Sequence, residues 1–235
     1  MKIKNIILWF GIAILSAGCG GPSAIMIKPG ALKNVRNIAI LEMSEPVYRM
    51  MDLGSATPWG AASAASDAQE IQPKFEALLK KEKFAFNKFL TQELHRSLRR
   101  AGYKTFAIKV KRAGPGKFLE DYKKYNLPKI DALLDVTPVT AGYVVQHVMT
   151  SNFWRPEAKV NVRLVNARDG SILHQNTMNY GYYNPFFSGV DIEAPKKFHF
   201  EERADVFKAG NKVVVAGLKD SAKKVAIEVG KQLKK

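Results

Sequence analysis

The chain has 235 residues, 46% of them apolar and 10% aromatic, enough for one substantial core and too much for disorder, a collagen-like rod or a polytopic membrane protein. Lys and Arg number 37 against 21 Asp and Glu, a formal charge of +16. A single cysteine excludes an intrachain disulfide framework and a Cys-rich zinc site.

At the N-terminus, Lys2 and Lys4 precede the apolar run from Ile6 to Leu15, which is followed by Ser16-Ala17-Gly18 and then Cys19. The run has the length of a secretory h-region and is too short to span a bilayer. The segment resembles a bacterial lipoprotein signal with Leu15-Ser16-Ala17-Gly18-Cys19 as its lipobox, although Ser16 stands where the family usually has Leu. That resemblance implies cleavage after residue 18 and acylation of Cys19. It also implies, because Gly20 and not Asp follows the cysteine, an outer-membrane destination facing the periplasm. Two or more acyl chains on Cys19 anchor a protein stably without a transmembrane helix. Removal of residues 1–18 takes away two lysines and no acid, so the remaining chain stays strongly basic. Export excludes nucleic acid as the partner of this charge and leaves lipid head groups, anionic envelope polymers and acidic protein surfaces.

Residues 19–36 carry Gly20, Gly21, Pro22, Pro29 and Gly30 and are expected to tether the lipid to a domain over 37–235. Asn37 to Glu42 is a near-continuous apolar strand, suggesting burial on both faces. From residue 44 to 73, with Met50, Met51 and a small-residue run from Gly60 to Ser66, the expectation is a long loop or flexible partner-binding arm. Phe75 to Ala101 turns helical: Phe86, Leu90, Leu94, Leu98 and Ala101 form one stripe, and Gly102 follows as a stop. Tyr103 to Val110 alternates as a strand, Gly114-Pro115-Gly116 breaks the chain, and Lys117 to Asn126 fits a short helix ended by Pro128.

Three strand-like runs follow, over 131–145, 158–167 and 171–181; Asp169-Gly170 supplies the tight turn between the last two. An aromatic, proline-bearing loop is expected over 182–200 and a closing helix over 213–233. The order β-α-β-α-β-β-β-α argues a single α/β domain of layered build with a mixed sheet. The opening strand, the helix ending in Ala101-Gly102-Tyr103, the strand Asp131 to Val136 and the hairpin around Arg168-Asp169-Gly170 together resemble a group of envelope domains. That group comprises the curli-secretion lipoprotein, the activator lipoprotein of penicillin-binding proteins and the amino-terminal domain of the Tol propeller protein. The resemblance implies a non-enzymatic role, binding a partner in envelope assembly, secretion or wall synthesis, and it admits a homo-oligomeric ring. No pair of lipid-facing alternating strands of about ten residues accompanies it.

Motifs for chemistry are thin, and no cofactor is implied. His95, His147, His174 and His199 stand far apart without metal-ligand spacing. Ser221-Ala222-Lys223-Lys224 matches S-x-x-K but lacks the partner motifs of a serine acyltransferase. Gly114 to Phe118 lacks the spacing of a phosphate loop, and neither Glu42 with Glu45 nor Asp131 with Asp135 is placed in a cleft by the sequence. The stronger candidates are for binding. Tyr182, Tyr183, Phe186 and Phe187 crowd a strand end, with Phe198 and Phe200 beyond, and aromatics on a loop either anchor an interface or fold under it as core. Lys196 and Lys197 offer cations beside them. The partner is then an envelope protein or, as the alternative, wall glycan or another anionic envelope molecule.

Overall fold

A computed structural model describes residues 22–52, 58–125, 127–145, 153–181 and 189–234, with the side chains of 58–69 outside the description. The signal segment 1–18, Cys19, His147 and the aromatics Tyr182, Tyr183, Phe186 and Phe187 lie outside the described residues. Seven strands form one mixed sheet: β1 (Asn37–Leu41), β2 (Val47–Asp52), β3 (Lys104–Ile108), β4 (Ala132–Val145), β5 (Trp154–Asn166), β6 (Ile172–Tyr180) and β7 (Val190–Ile192). The helices are α1 (Pro58–Lys81), α2 (Phe86–Arg100), α3 (Arg203–Lys208) and α4 (Asn211–Gln232). The order across the sheet is β3-β1-β4-β5-β6-β7, and β2 lies beside β4 beyond the end of β1. β1 is parallel to β3 and β4, β4 to β6 run antiparallel, and β7 is parallel to β6. The expected α/β domain with a mixed sheet is present.

β4 is buried at every residue but Val139, as befits a strand in the interior of the sheet. It runs straight through Pro138, where the register slips by one residue against β5. The slip coincides with the break between β1 and β2, so the N–H that proline lacks is not needed by a neighbouring strand.

The segment 44–73 corrects the loop expectation. Val47 to Asp52 pairs in parallel with Thr140 to Val145, extending the line of β1, and Pro58 opens α1. Alanine has the highest helix propensity and proline suits a first helical position, so the small-residue run is a helix rather than a linker. The single helix expected over 75–101 is two, divided at Lys83, whose φ of +50° ends α1 in the left-handed region. Residues 117–126 contain one 3-10 turn, Lys123–Tyr125, instead of a helix. The expected 182–200 loop contains β7 and a second 3-10 turn, Lys196–Phe198. Part of the expected tether is docked: Leu32 and Val35 are buried, and Ile25 exchanges backbone hydrogen bonds with Gln175 on β6 at 2.8 and 2.9 Å.

The two faces of the sheet are covered differently. On one, Ile38, Ile40, Leu134, Val160 and Val162 meet Leu90, Leu94 and Leu98 of α2 and Ala222, Val225 and Val229 of α4. The helices approach closely where a Cβ at Gly230 would stand 2.1 Å from Ser97 Oγ. On the opposite face, Ala39, Leu41, Leu133 and Val165 meet Leu119 and Tyr122 of the irregular segment between β3 and β4.

That irregular cover is held by polar groups. Asp135 is fully buried; its Oδ2 accepts the Leu119 N–H (2.9 Å) and the Tyr122 hydroxyl (2.7 Å), and its Oδ1 lies 2.8 Å from Arg112 Nη1. Arg112 Nε donates to the Glu42 carbonyl, tying the cover to the end of β1. Burial, then the negative charge of Asp135, push the Tyr122 hydroxyl well above its ordinary range, so it stays a donor. Arg163 lies over the Phe118 ring at 3.9 Å and donates to Gln175 Oε1 at 2.6 Å. Gly116, at φ +71°, turns its N–H to the Pro138 carbonyl (3.0 Å) and accepts from Asn161 Nδ2 (3.2 Å).

Candidate functional site

β3 is the border of the sheet on the side away from β6. Its Lys104 N–H bonds the Arg36 carbonyl and its Ile108 carbonyl accepts from Glu42 N–H, so Lys104, Phe106 and Ile108 turn their backbone groups toward β1. In a parallel ladder the alternate residues, Thr105 and Ala107, then present their N–H and C=O groups outward. Five residues long and only partly covered, β3 leaves Phe106 44% exposed.

A groove of about 500 Å³ opens beside this edge, where β1 and β3 end and α2 begins. Ile40, Leu41, Met43, Ala107 and Ile108 give it an apolar floor, and Asn87, Lys88, Thr91 and Gln92 of α2 form the facing wall. Asn87 Nδ2 donates to the Met43 carbonyl at 3.1 Å and Thr91 Oγ1 donates to the Asn87 carbonyl at 2.8 Å, fixing that wall against the strand end. Lys88 and Lys109 flank the opening, with Glu42 the one acid lining it. Open parallel sheets place ligands in this position, outside the carboxyl ends of their strands. On the helix side, Thr105 Oγ1 lies 2.8 Å from His95 Nδ1; burial, then the Arg99 charge, hold that imidazole below its ordinary range.

Of these residues the sequence singled out Glu42 and His95 alone, each weighed for chemistry and not for binding. Its detectable signals are a five-residue strand, an apolar Phe106 on it, and lysines at both ends, Lys104 and Lys109. Lysines beside a free edge discourage indiscriminate pairing.

The residues that the sequence did single out scatter. Lys196 and Lys197 are exposed on a 3-10 turn, and Lys197 Nζ lies 4.9 Å from the centre of the Phe198 ring. The described aromatics near them belong to the core. Tyr180 is buried with its hydroxyl 2.6 Å from Asp220, Phe198 is buried, and Phe200 pairs with the Trp154 backbone and packs on Tyr143. Met50 is buried under α1, while Met51 stays partly exposed. Ser221 is buried and its hydroxyl donates to the Leu218 carbonyl (2.7 Å), a bond within α4. His199 Nε2 bonds the Ala194 carbonyl (3.1 Å), and His174 joins Ile25 to Gln232. Asp131 accepts the Arg36 and Asn37 N–H groups, a capping role distinct from that of Asp135. Among the described residues no three His, Cys, Asp or Glu side chains converge in a metal-binding arrangement.

Comparison with known proteins gives distant structural likeness alone. No protein-family model and no curated protein matches the chain. Among solved structures, a neuraminyllactose-binding hemagglutinin homolog of Helicobacter pylori is similar at 16% identity, over 91% of this chain and 89% of that one, with a TM-score of 0.39. The PelC dodecamer of Paraburkholderia phytofirmans is similar at 10% identity, over 92% and 93%, with a TM-score of 0.33. A lipoprotein of Neisseria meningitidis is similar at 15% identity, over 64% of this chain and 88% of that one, with a TM-score of 0.30.

Proposed function

We propose that this chain is a non-enzymatic lipoprotein, anchored through Cys19 to the periplasmic face of the outer membrane, that binds another envelope protein and supports envelope assembly, secretion or wall synthesis. The observation that carries the binding reading is the free edge of β3 beside an apolar groove. An extended segment of the partner adds to Thr105 and Ala107 by main-chain hydrogen bonds and drops an apolar side chain into the groove. Lys88, Lys104 and Lys109 select a segment with acidic flanks, because a basic one is repelled. The anchor side supports this orientation. Ile25, near the start of the described chain, pairs with Gln175 on β6, which β4 and β5 separate from β1 and its neighbour β3.

The test is cross-linking in intact cells followed by detergent solubilisation and capture of the full chain, with identification of bound proteins and of assembly mass. A defined protein partner lost in Ala107→Arg, which fills the groove from an exposed position, supports the reading. Undiminished capture by that variant overturns the groove assignment, and a homo-oligomer of defined mass names a second copy as the occupant. A monomer without protein partners, retained on wall glycan or an anionic polymer in a manner that Lys196→Gln/Lys197→Gln weakens, replaces the protein-binding reading with the ligand-binding one.

A further inference from the structure

We propose that the outer face of α2 and α4 is a track for a linear phosphate-bearing polymer, a site separate from the β3 groove. The two helices lie side by side and run the same way. Lys219 Nζ stands 5.8 Å from the centre of the Phe89 ring, Gly230 lies against Ser97, and just past both helices the Tyr103 hydroxyl donates to the Leu233 carbonyl. The exposed residues of α2 are Lys88, Gln92, Arg96, Arg99 and Arg100; those of α4 are Lys212, Val213, Ala216, Lys219, Lys223 and Lys231. Eight of these eleven are cations and none is an acid. The acids of the two helices are engaged within the fold. Glu93 is buried and paired with Arg96, Asp220 accepts the Tyr180 hydroxyl at 2.6 Å, and Glu228 lies 3.4 Å from Lys231. Lys88, Arg100, Lys219 and Lys223 form no ion pair among the described residues.

Like charges one helical turn apart, Arg96 with Arg100 and Lys219 with Lys223, weaken a helix, so this pattern does not serve the fold. A surface of one sign raises the local concentration of a polyanion. The remaining exposed residues decide which polyanion. Helices that lie on a leaflet set apolar and aromatic side chains into it, protein interfaces have an apolar centre depleted in lysine, and bases stack on exposed aromatics. On these two helices the exposed apolar residues are Val213 and Ala216, and no aromatic joins them. Where α2 begins, the seam opens into a depression of about 180 Å³ lined by Phe84 and Phe89, with Lys83, Lys88 and Lys219 around it and Glu82 as its one acid. A flat surface does not enter such a depression, whereas a chain carrying phosphate groups does. Lysine meets phosphate as a point charge without fixed geometry, so a row of lysines accepts a polymer in any register.

The test is binding of the full chain, in non-ionic detergent, to long-chain inorganic polyphosphate, measured by calorimetry across a salt series. Arg100→Gln/Lys219→Gln/Lys223→Gln removes three exposed, unpaired cations while keeping helix propensity. It is expected to weaken binding about tenfold or more and to flatten the slope of log K against log salt by about 2. Lys196→Gln/Lys197→Gln, which removes charge from another part of the surface, is expected to change the affinity by less than about twofold. Ala107→Arg is expected to leave polyphosphate binding in place, so failure at the β3 groove and failure here are read separately. Equal weakening by the triple variant and by Lys196→Gln/Lys197→Gln reduces the effect to net charge and overturns the inference. Undiminished binding by the triple variant, or no binding by the unaltered chain, overturns it too. Retention on vesicles of POPC with about 30% POPG that the triple variant loses and polyphosphate does not compete away replaces the polymer with a leaflet. Tighter binding of a thymidine oligonucleotide than of polyphosphate replaces it with a nucleic acid.

Discussion

The two faces of the sheet are built on opposite physical terms. The helix-covered face is apolar on both sides of the contact, and its stability comes from burial of Leu, Val and Ile against α2 and α4. The other face is buried beside its small apolar patch through Asp135, Asn161, Gln175 and Thr177, which are buried like the leucines but lie under a segment with a single 3-10 turn. Apolar packing tolerates loss in proportion to the atoms removed. A buried polar network fails at its least replaceable member, because each group deprived of a partner carries its full desolvation cost. The helical face is therefore expected to degrade gradually, and the polar face abruptly.

Asp135→Ala is the sharpest way to break the polar face. It strands the Arg112 guanidinium and leaves the Leu119 N–H and Tyr122 hydroxyl without their acceptor, and urea unfolding is expected to show a loss of about 4 kcal/mol. Arg112→Met combined with Asp135→Leu is expected to recover only part of this, since the two neutral donors stay unpaired. Full recovery would mean that the ion pair, not the network, dominates. Leu94→Ala, at a fully buried position on the helical face, is expected to cost about 3 kcal/mol by the same measurement.

A smaller effect comes from His174, whose imidazole is buried against the end of α4. Burial holds His174 below its ordinary value of 6.5, against the opposing influence of its bonds to Gln232 and Ile25. The unfolded chain takes up a proton as pH falls through 6.5 while the folded chain does not. Stability is therefore full above pH 6.5 and declines below it. Urea midpoints measured from pH 7.5 to 5.5 are expected to fall, and His174→Gln to flatten that dependence. An unchanged slope in the variant would assign the decline to His95 and His199, which burial also holds low. The smallest stability effect is that of Ala107→Arg, at an exposed edge position, expected to stay within about 0.5 kcal/mol while abolishing partner capture.

The polar face also shows how far pattern can be followed. In β5, Val160, Val162 and Leu164 alternate with Lys159, Asn161 and Arg163, and that alternation correctly marks which side meets the helices. The same alternation ordinarily means that the polar side meets water. Here Asn161 and Arg163 meet Gly116 and Phe118, contacts between residues more than forty positions apart that no local period encodes. The stretch 44–73 misled for the converse reason. Its small residues carry no apolar stripe, so helix and loop are alike in pattern, and burial of Ile71, Phe75 and Leu78 against β2 and β4 settles the matter.

By itself the sequence determined the lipobox-like run ending at Cys19, the stripe of α2, the alternation of β5 and β6 and the turn at Asp169-Gly170, since each is a local pattern of side-chain type. It thereby determined the α/β class with a mixed sheet. Only the tertiary structure decided that β2 continues the line of β1 beside the second half of β4 and that β3 is left as an edge with a groove at its end. It alone decided, too, that Ile25 of the expected tether pairs with β6. Each of these depends on which strand lies next to which, and strand neighbours are chosen by the sum of long-range burial and hydrogen bonding over the whole sheet.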